Sequence, residues 1–365
     1  MLENKGQHIS DVNDSTVNQA QRDVNVYLGM QPADVIAIVN TLVASKLEQY
    51  SAQAKLTAEQ RTKEFSDKLV SEITQKVLDK INRFEEPSIQ YITRQATLGY
   101  IKSGEKRLGD DLVDLLIERV RSEEHTTTQN IIDQAVNLLP SLSKNVLALL
   151  SLIAFRNVTY SGPRIKYEEL LRSVNPLLED CNGIGSLEVE YLKQVGCVSG
   201  VPSITFHSNY EEELVKSENL FFSHPLVGDD YQQLLNILEL KECNRKFTYL
   251  GNANDFPTLF AYFPFDPIHH SCQSGRCKWP ELLQINIDER LKAKLDKASK
   301  LFKPFSSEEV RAYLYNLDSN WGQALIALNR QDVKTLVPTT IGYYIACRQL
   351  TKFTGEEISL NTFYK

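Results

Sequence analysis

After Pro32 the chain runs to about Phe84 without a proline or glycine, and its apolar residues recur at helical spacing. Val35, Ile38, Val39, Leu42, Val43 and Leu47 form one series, and Phe65, Leu69, Ile73, Val77, Ile81 and Phe84 a second. Read as one helix over 31–86, this stretch has about fifty residues and spans roughly 75 Å at about 1.5 Å per residue. A coiled-coil stalk of that length needs a partner. The other reading is two shorter helices in an intramolecular bundle, with a break near Thr57 in the polar middle.

Ahead of the stalk the period falls to two. Thr16 to Ala20 and Asp23 to Tyr27 alternate β-branched or aromatic residues with Asn, Gln, Ser and Asp. Such strands are too polar to bury a face alone, but stacked between chains they form Asn and Gln ladders. Residues 1–30 therefore read as an assembly segment, or else as an unpaired tail.

Helical periodicity returns at 87–180, read as a helical bundle punctuated by Gly104, Gly109 and Pro140. At 186–208 an amphipathic helix ends at Gly196 and two short strand patterns follow; at 333–353 a strand precedes a helix. Together, 181–208 and 331–365 resemble a winged-helix unit split by an insertion at 209–330. The inserted module is aromatic-rich at 247–265 and helical over 281–328, with Trp321 and Leu325 as expected core. The fold class expected is mainly α with a smaller α+β part. It comprises an N-terminal β segment, a long helix, a helical bundle and the split winged-helix-like unit with its inserted module.

Composition narrows the function. A length of 365 residues allows two or three modules at roughly 100–200 residues each. The net charge of -7 argues against a broad grip on duplex DNA. On the winged-helix candidate, Glu188 and Glu190 oppose Lys193, so packing against protein is favoured over reading a groove. The first residues lack a basic and an apolar signal region, and no apolar run is long enough to span a bilayer, so a cytoplasmic protein without a membrane partner is expected. Six dispersed cysteines fit reduced thiols.

Chemistry concentrates in DPIHHSCQSGRCKWP, residues 266–280. His269, His270, Cys272 and Cys277 supply imidazole and thiolate, the ligand set of tetrahedral zinc, on a segment too rich in Pro, Gly, Ser and Gln for a core. His207 and Cys243 are alternative distant donors, and the competing reading is a surface loop with two free thiols. Four protein ligands make a structural site. Three leave a position for water, with Arg276 and Lys278 beside the loop to hold a phosphate and an unligated histidine to move protons. RNA then suits the site better than duplex DNA, since single strands stack on side chains such as Phe265 and Trp279. Glycine-rich nucleotide loops and the G-x-S-x-G elbow are missing from the sequence.

The segments FEEPSIQYITRQATLGYIKSGEKRLGDDLVDLLIERV, NIIDQAVNLLPSLSKNVLALLSLI, LEVEYLKQVGC and LVPTTIGYYIACRQLTKFTGEEISL resemble a bacterial family distantly similar to the abortive-infection alpha proteins. That resemblance implies an antiviral setting and the strand-then-helix start. With the His and Cys loop added, the chain also resembles the ring-activated zinc-finger ribonucleases. This implies a homo-oligomer, ring or higher order, that answers a phage protein by cutting RNA, with His269, His270, Cys272 and Cys277 as the zinc-finger positions. The alternative is a non-catalytic oligomeric scaffold in which zinc is structural or absent.

Overall fold

The computed structural model describes residues 30–47, 51–123, 126–157, 164–200, 208–217, 221–224, 226, 228–237, 240–243, 246–249, 293, 297–298, 300–355, 358 and 360. The expected assembly strands at 1–29 lie outside them.

The expected long helix is a hairpin. Helix α1 (Pro32–Leu47) packs against α2 (Ala52–Lys76), and a 3-10 segment follows at Leu78–Glu85. The Met30 N–H donates to Asn82 Oδ1 at 3.2 Å, so the start of α1 lies beside the segment that follows α2, and the two helices run antiparallel. Helix α1 ends at Leu47 and α2 begins at Ala52, ahead of Thr57, which sits inside α2. Burial explains why a single rod is not formed. Val35, Val39 and Val43 line one face of α1, and folding back removes all three from water, worth about 1.5–3 kcal/mol for each fully buried side chain. Helix α2 turns Phe65, Leu69 and Ile73 toward the same core.

Helix α3 (Pro87–Ser103) opens with proline at its first position and stops at Gly104, whose φ of +70° is left-handed. Arg61 reaches across from α2 to donate to the Ile101 carbonyl at 2.6 Å, satisfying an end that the helix leaves open. Helix α4 (Lys106–Arg121) packs on α2 and α3, and α5 (Thr127–Leu138) starts at Thr126, whose Oγ1 accepts from the Gln129 N–H at 3.2 Å. Helix α6 (Lys144–Phe155) is apolar on all sides and buries every residue from Ala148 to Phe155, as the central element of a helical core must.

Around α6 lie α7 (Arg164–Ser173), α8 (Asn175–Glu179) and α9 (Ser186–Gln194), followed by β1 (Val198–Gly200). Helix α10 (Tyr210–Ser217), helix α11 (Gly228–Ile237) and the hairpin β2 (Leu240–Cys243) with β3 (Lys246–Tyr249) follow. The chain then forms α12 (Ser307–Leu317), α13 (Trp321–Leu328), α14 (Gln331–Lys334), β4 (Leu336–Pro338) and α15 (Thr340–Thr354). Strands β1 and β4 pair antiparallel, Val198 opposite Pro338 and Gly200 opposite Leu336, closing the chain across the insertion.

The protein is mainly α with a small β part. One buried apolar cluster runs from Val35 to Leu350 and takes in Val310, Leu314, Trp321 and Leu325. Helices α12 and α13, within the expected inserted module, therefore share the core of the bundle. Among the described residues no helix is long and apolar enough to cross a membrane.

Candidate functional site

A buried polar cluster lies where α10 meets α12, α13 and α14. It forms because α10 begins with three acids, Glu211, Glu212 and Glu213, a placement favoured by the positive end of a helix. Packing of α10 on α12 then carries one of them out of water.

Glu211 has a side-chain exposure of 0%. Its Oε1 accepts from Arg311 Nε at 3.0 Å and Nη2 at 2.8 Å, and its Oε2 accepts from Asn329 Nδ2 at 2.7 Å. Asn329, just past the end of α13, accepts the Tyr210 backbone N–H on its own Oδ1 at 2.7 Å. Beside it, Lys334 of α14 donates to Asn209 Oδ1 at 2.6 Å. Asn209, Tyr210 and Glu211 are thus tied to α12, to the residue after α13 and to α14, a hundred or more positions away in sequence.

A second layer connects this clasp to α6 and β4. Arg156, at the end of α6, donates to the Leu336 carbonyl at 2.9 Å, and Asn157 donates to the Tyr343 hydroxyl at 3.0 Å. Glu213 stands nearby. Burial pushes its carboxyl above the usual value, opposed by Arg156, by a hydrogen bond from Ser208, and by Lys334 and Lys216. Burial likewise draws Arg156 below its ordinary value, against the attraction of Glu213, Tyr210 and Tyr343. For both groups desolvation outweighs their mutual attraction.

A third layer closes the neck further out. The His224 N–H donates to the Lys303 carbonyl at 2.9 Å and the Phe305 N–H to the Phe222 carbonyl at 2.8 Å, with Ser223 bridged to Pro304. Phe221 and Phe222 stack edge-on with Tyr167 and Tyr313, and Phe305 tilts against Phe222. His224 Nε2 lies 3.3 Å from Glu309, which also caps α12 by accepting the Ser306 N–H at 2.8 Å. Chain entering at 224 and chain leaving at 303 therefore meet.

Both oxygens of Glu211 are occupied, so the group is built to hold elements together and not to move protons. A second polar cluster joins α4 to α15: Asp111 accepts from Gln349 Nε2 at 3.0 Å and pairs with Lys352, while Arg107 donates to Gln349 Oε1 at 2.7 Å and lies over the Phe353 ring. It borders a cleft of about 60 Å³ between Ser103 and Leu147, where Glu105 pairs with Lys144 at 3.0 Å. The cations facing that cleft already have partners.

His269, His270, Cys272 and Cys277, with Arg276 and Lys278, lie outside the described residues, as do His207, Phe265 and Trp279. Cys243 is the last residue of β2. Among the described residues no group of three or more His, Cys, Asp or Glu is arranged to hold a metal ion. Sequence reasoning had not singled out Glu211, Arg311, Asn329 or Lys334. The acidic start of α10 was the only local signal, and it marks a helix end without naming a partner.

No curated protein and no solved structure compared with the chain matches it. A family model does match, and it takes in everything from α1 to α15, clasp included. The chain belongs to that family, whose model covers residues 29–364 and whose function is not known.

Proposed function

We propose that the protein is a cytoplasmic, self-assembling anti-phage defence protein of the abortive-infection type, with a helical body that carries an effector module within 209–330. The observation that carries this reading is the neck. A buried carboxylate with three hydrogen bonds and a backbone bridge hold both ends of the insertion on the body, as a mount for a working module requires. In this reading His269, His270, Cys272 and Cys277 hold zinc, and the module cuts RNA after a phage protein is sensed. Because α1 folds back on α2, assembly rests on residues 1–30 and not on a stalk.

The test is incubation of the zinc-loaded protein with cellular RNA, with and without a phage lysate. A second arm uses a variant in which 225–302 is replaced by a short Gly-Ser linker, since His224 and Lys303 are already hydrogen-bonded. Cleavage that depends on lysate and on the insertion supports the reading. Intact RNA in every arm removes the ribonuclease claim.

A non-catalytic scaffold is the second reading, and a specific surface favours it. Tyr315 is 56% exposed and Ile326 65% exposed, and the Tyr315 ring lies against Gly322, one turn before Ile326, so the two form one apolar patch on α12 and α13. Cys272→Ala with Cys277→Ala separates the readings. Loss of toxicity in a folded, assembled protein points to an effector, and loss of folding to structural zinc.

A further inference from the structure

Residues 291–305 carry five lysines and one acid in a chain whose net charge is -7. The last three lysines, Lys297, Lys300 and Lys303, are exposed and spaced three residues apart. The same segment turns Ala298 and Phe302 inward, at 0% and 9% exposure. Its apolar side is thus buried while these three lysines are exposed. Position is set further by the Lys303 carbonyl, which accepts the His224 N–H at 2.9 Å. The acid facing this end of the row, Glu309, is engaged by Ser306 and by His224. Lys297 and Lys300 form no ion pair with another described residue.

We infer that Lys297, Lys300 and Lys303 form a phosphate-tracking row that binds a single nucleic-acid strand at the neck of the insertion. Lys297, Lys300 and Lys303 lie within one short exposed segment, close enough in sequence for their long side chains to meet successive phosphates of one strand. Three cations on one segment match the single line of charge that one strand presents. A duplex or an anionic membrane presents a charged face, which this acidic chain meets with repulsion beyond the row. The inference deepens the ribonuclease reading by naming where substrate is held, but binding and cleavage are measured separately.

The experiment uses the full-length protein and a fluorescent oligouridylate of about twenty nucleotides, titrated at several salt concentrations. The comparison is the triple variant Lys297→Gln, Lys300→Gln, Lys303→Gln. Loss of three phosphate contacts lowers the slope of log affinity against log salt by about 2, and weakens binding roughly 10- to 100-fold at about 0.1 M salt. Equal melting curves for the two proteins show that the exposed substitutions leave the fold intact.

An unchanged slope in the triple variant, or no oligouridylate binding by the native protein at about 0.05 M salt, overturns the inference. So does tighter row-dependent binding of polyglutamate or of phosphatidylserine vesicles. Row-dependent binding without cleavage keeps this inference and removes the ribonuclease; cleavage indifferent to the row does the reverse.

Discussion

Gly342, in the first turn of α15, lies so close to the Cys197 carbonyl that a Cβ on it would sit 1.8 Å from the oxygen and 2.9 Å from the carbon. Thr339 completes the junction: its N–H donates to the same carbonyl at 3.0 Å and its hydroxyl to the Gly196 carbonyl at 2.7 Å. Backbone cannot retreat as a flexible side chain does, so Gly342→Ala must separate α15 from the turn before β1. The expected cost is about 3 kcal/mol or more, read by urea unfolding. Gly322→Ala is the control. Its Cβ meets only the Tyr315 ring at 3.7 Å, and a change within about 1 kcal/mol is expected.

Removing one partner of the clasp should be worse than removing both. Arg311→Met leaves Glu211 buried with Asn329 as its remaining side-chain donor, and an expected loss of about 2–3 kcal/mol allows for an arginine that is 55% exposed. The pair Glu211→Gln and Arg311→Met should recover part of that loss. A double-mutant cycle in urea measures the coupling, and additive losses would contradict a clasp.

Glu213 supplies a pH dependence of definite sign. Its carboxyl binds protons more tightly in the folded chain than in the unfolded one, because burial raises its pKa above 4.5. Its favourable contribution is therefore complete below about that value and is lost as pH rises through the folded pKa. Glu213→Gln should raise the melting temperature at pH 7.5, with the gain shrinking toward pH 4. A gain that grows on acidification would reverse the assignment.

Cys181, Cys197 and Cys347 are buried, and desolvation pushes their thiols up to about 12, 11 and 12. Thiolate is the reactive form, so native protein treated briefly with a maleimide at pH 7 should leave all three unmodified until denaturant is added. That silence makes the loop readable. Zinc should protect Cys272 and Cys277 and a chelator expose them, followed by peptide mass spectrometry; equal labelling in both conditions would remove zinc from the proposal.

Helical periodicity was legible wherever a helix buries one face. The apolar series at 35–47 and 65–84, the proline at the start of α3 and the glycine after it all lie where local spacing places them. The length of the first helix was not legible, since an apolar stripe is equally satisfied by a neighbouring chain or by its own successor. Packing against α3 and the Met30 to Asn82 hydrogen bond decide for the hairpin.

Local pattern alone determined the helical class and the short strands after Gly196 and before α15, because each is written in spacing over a few turns. Only tertiary structure decided that α1 folds back, that α12 and α13 belong to the common core, and that Glu211 meets Arg311. That contact joins positions a hundred residues apart, and an ion pair leaves no periodic trace in either segment. Its partners are chosen by which helix faces exclude water together.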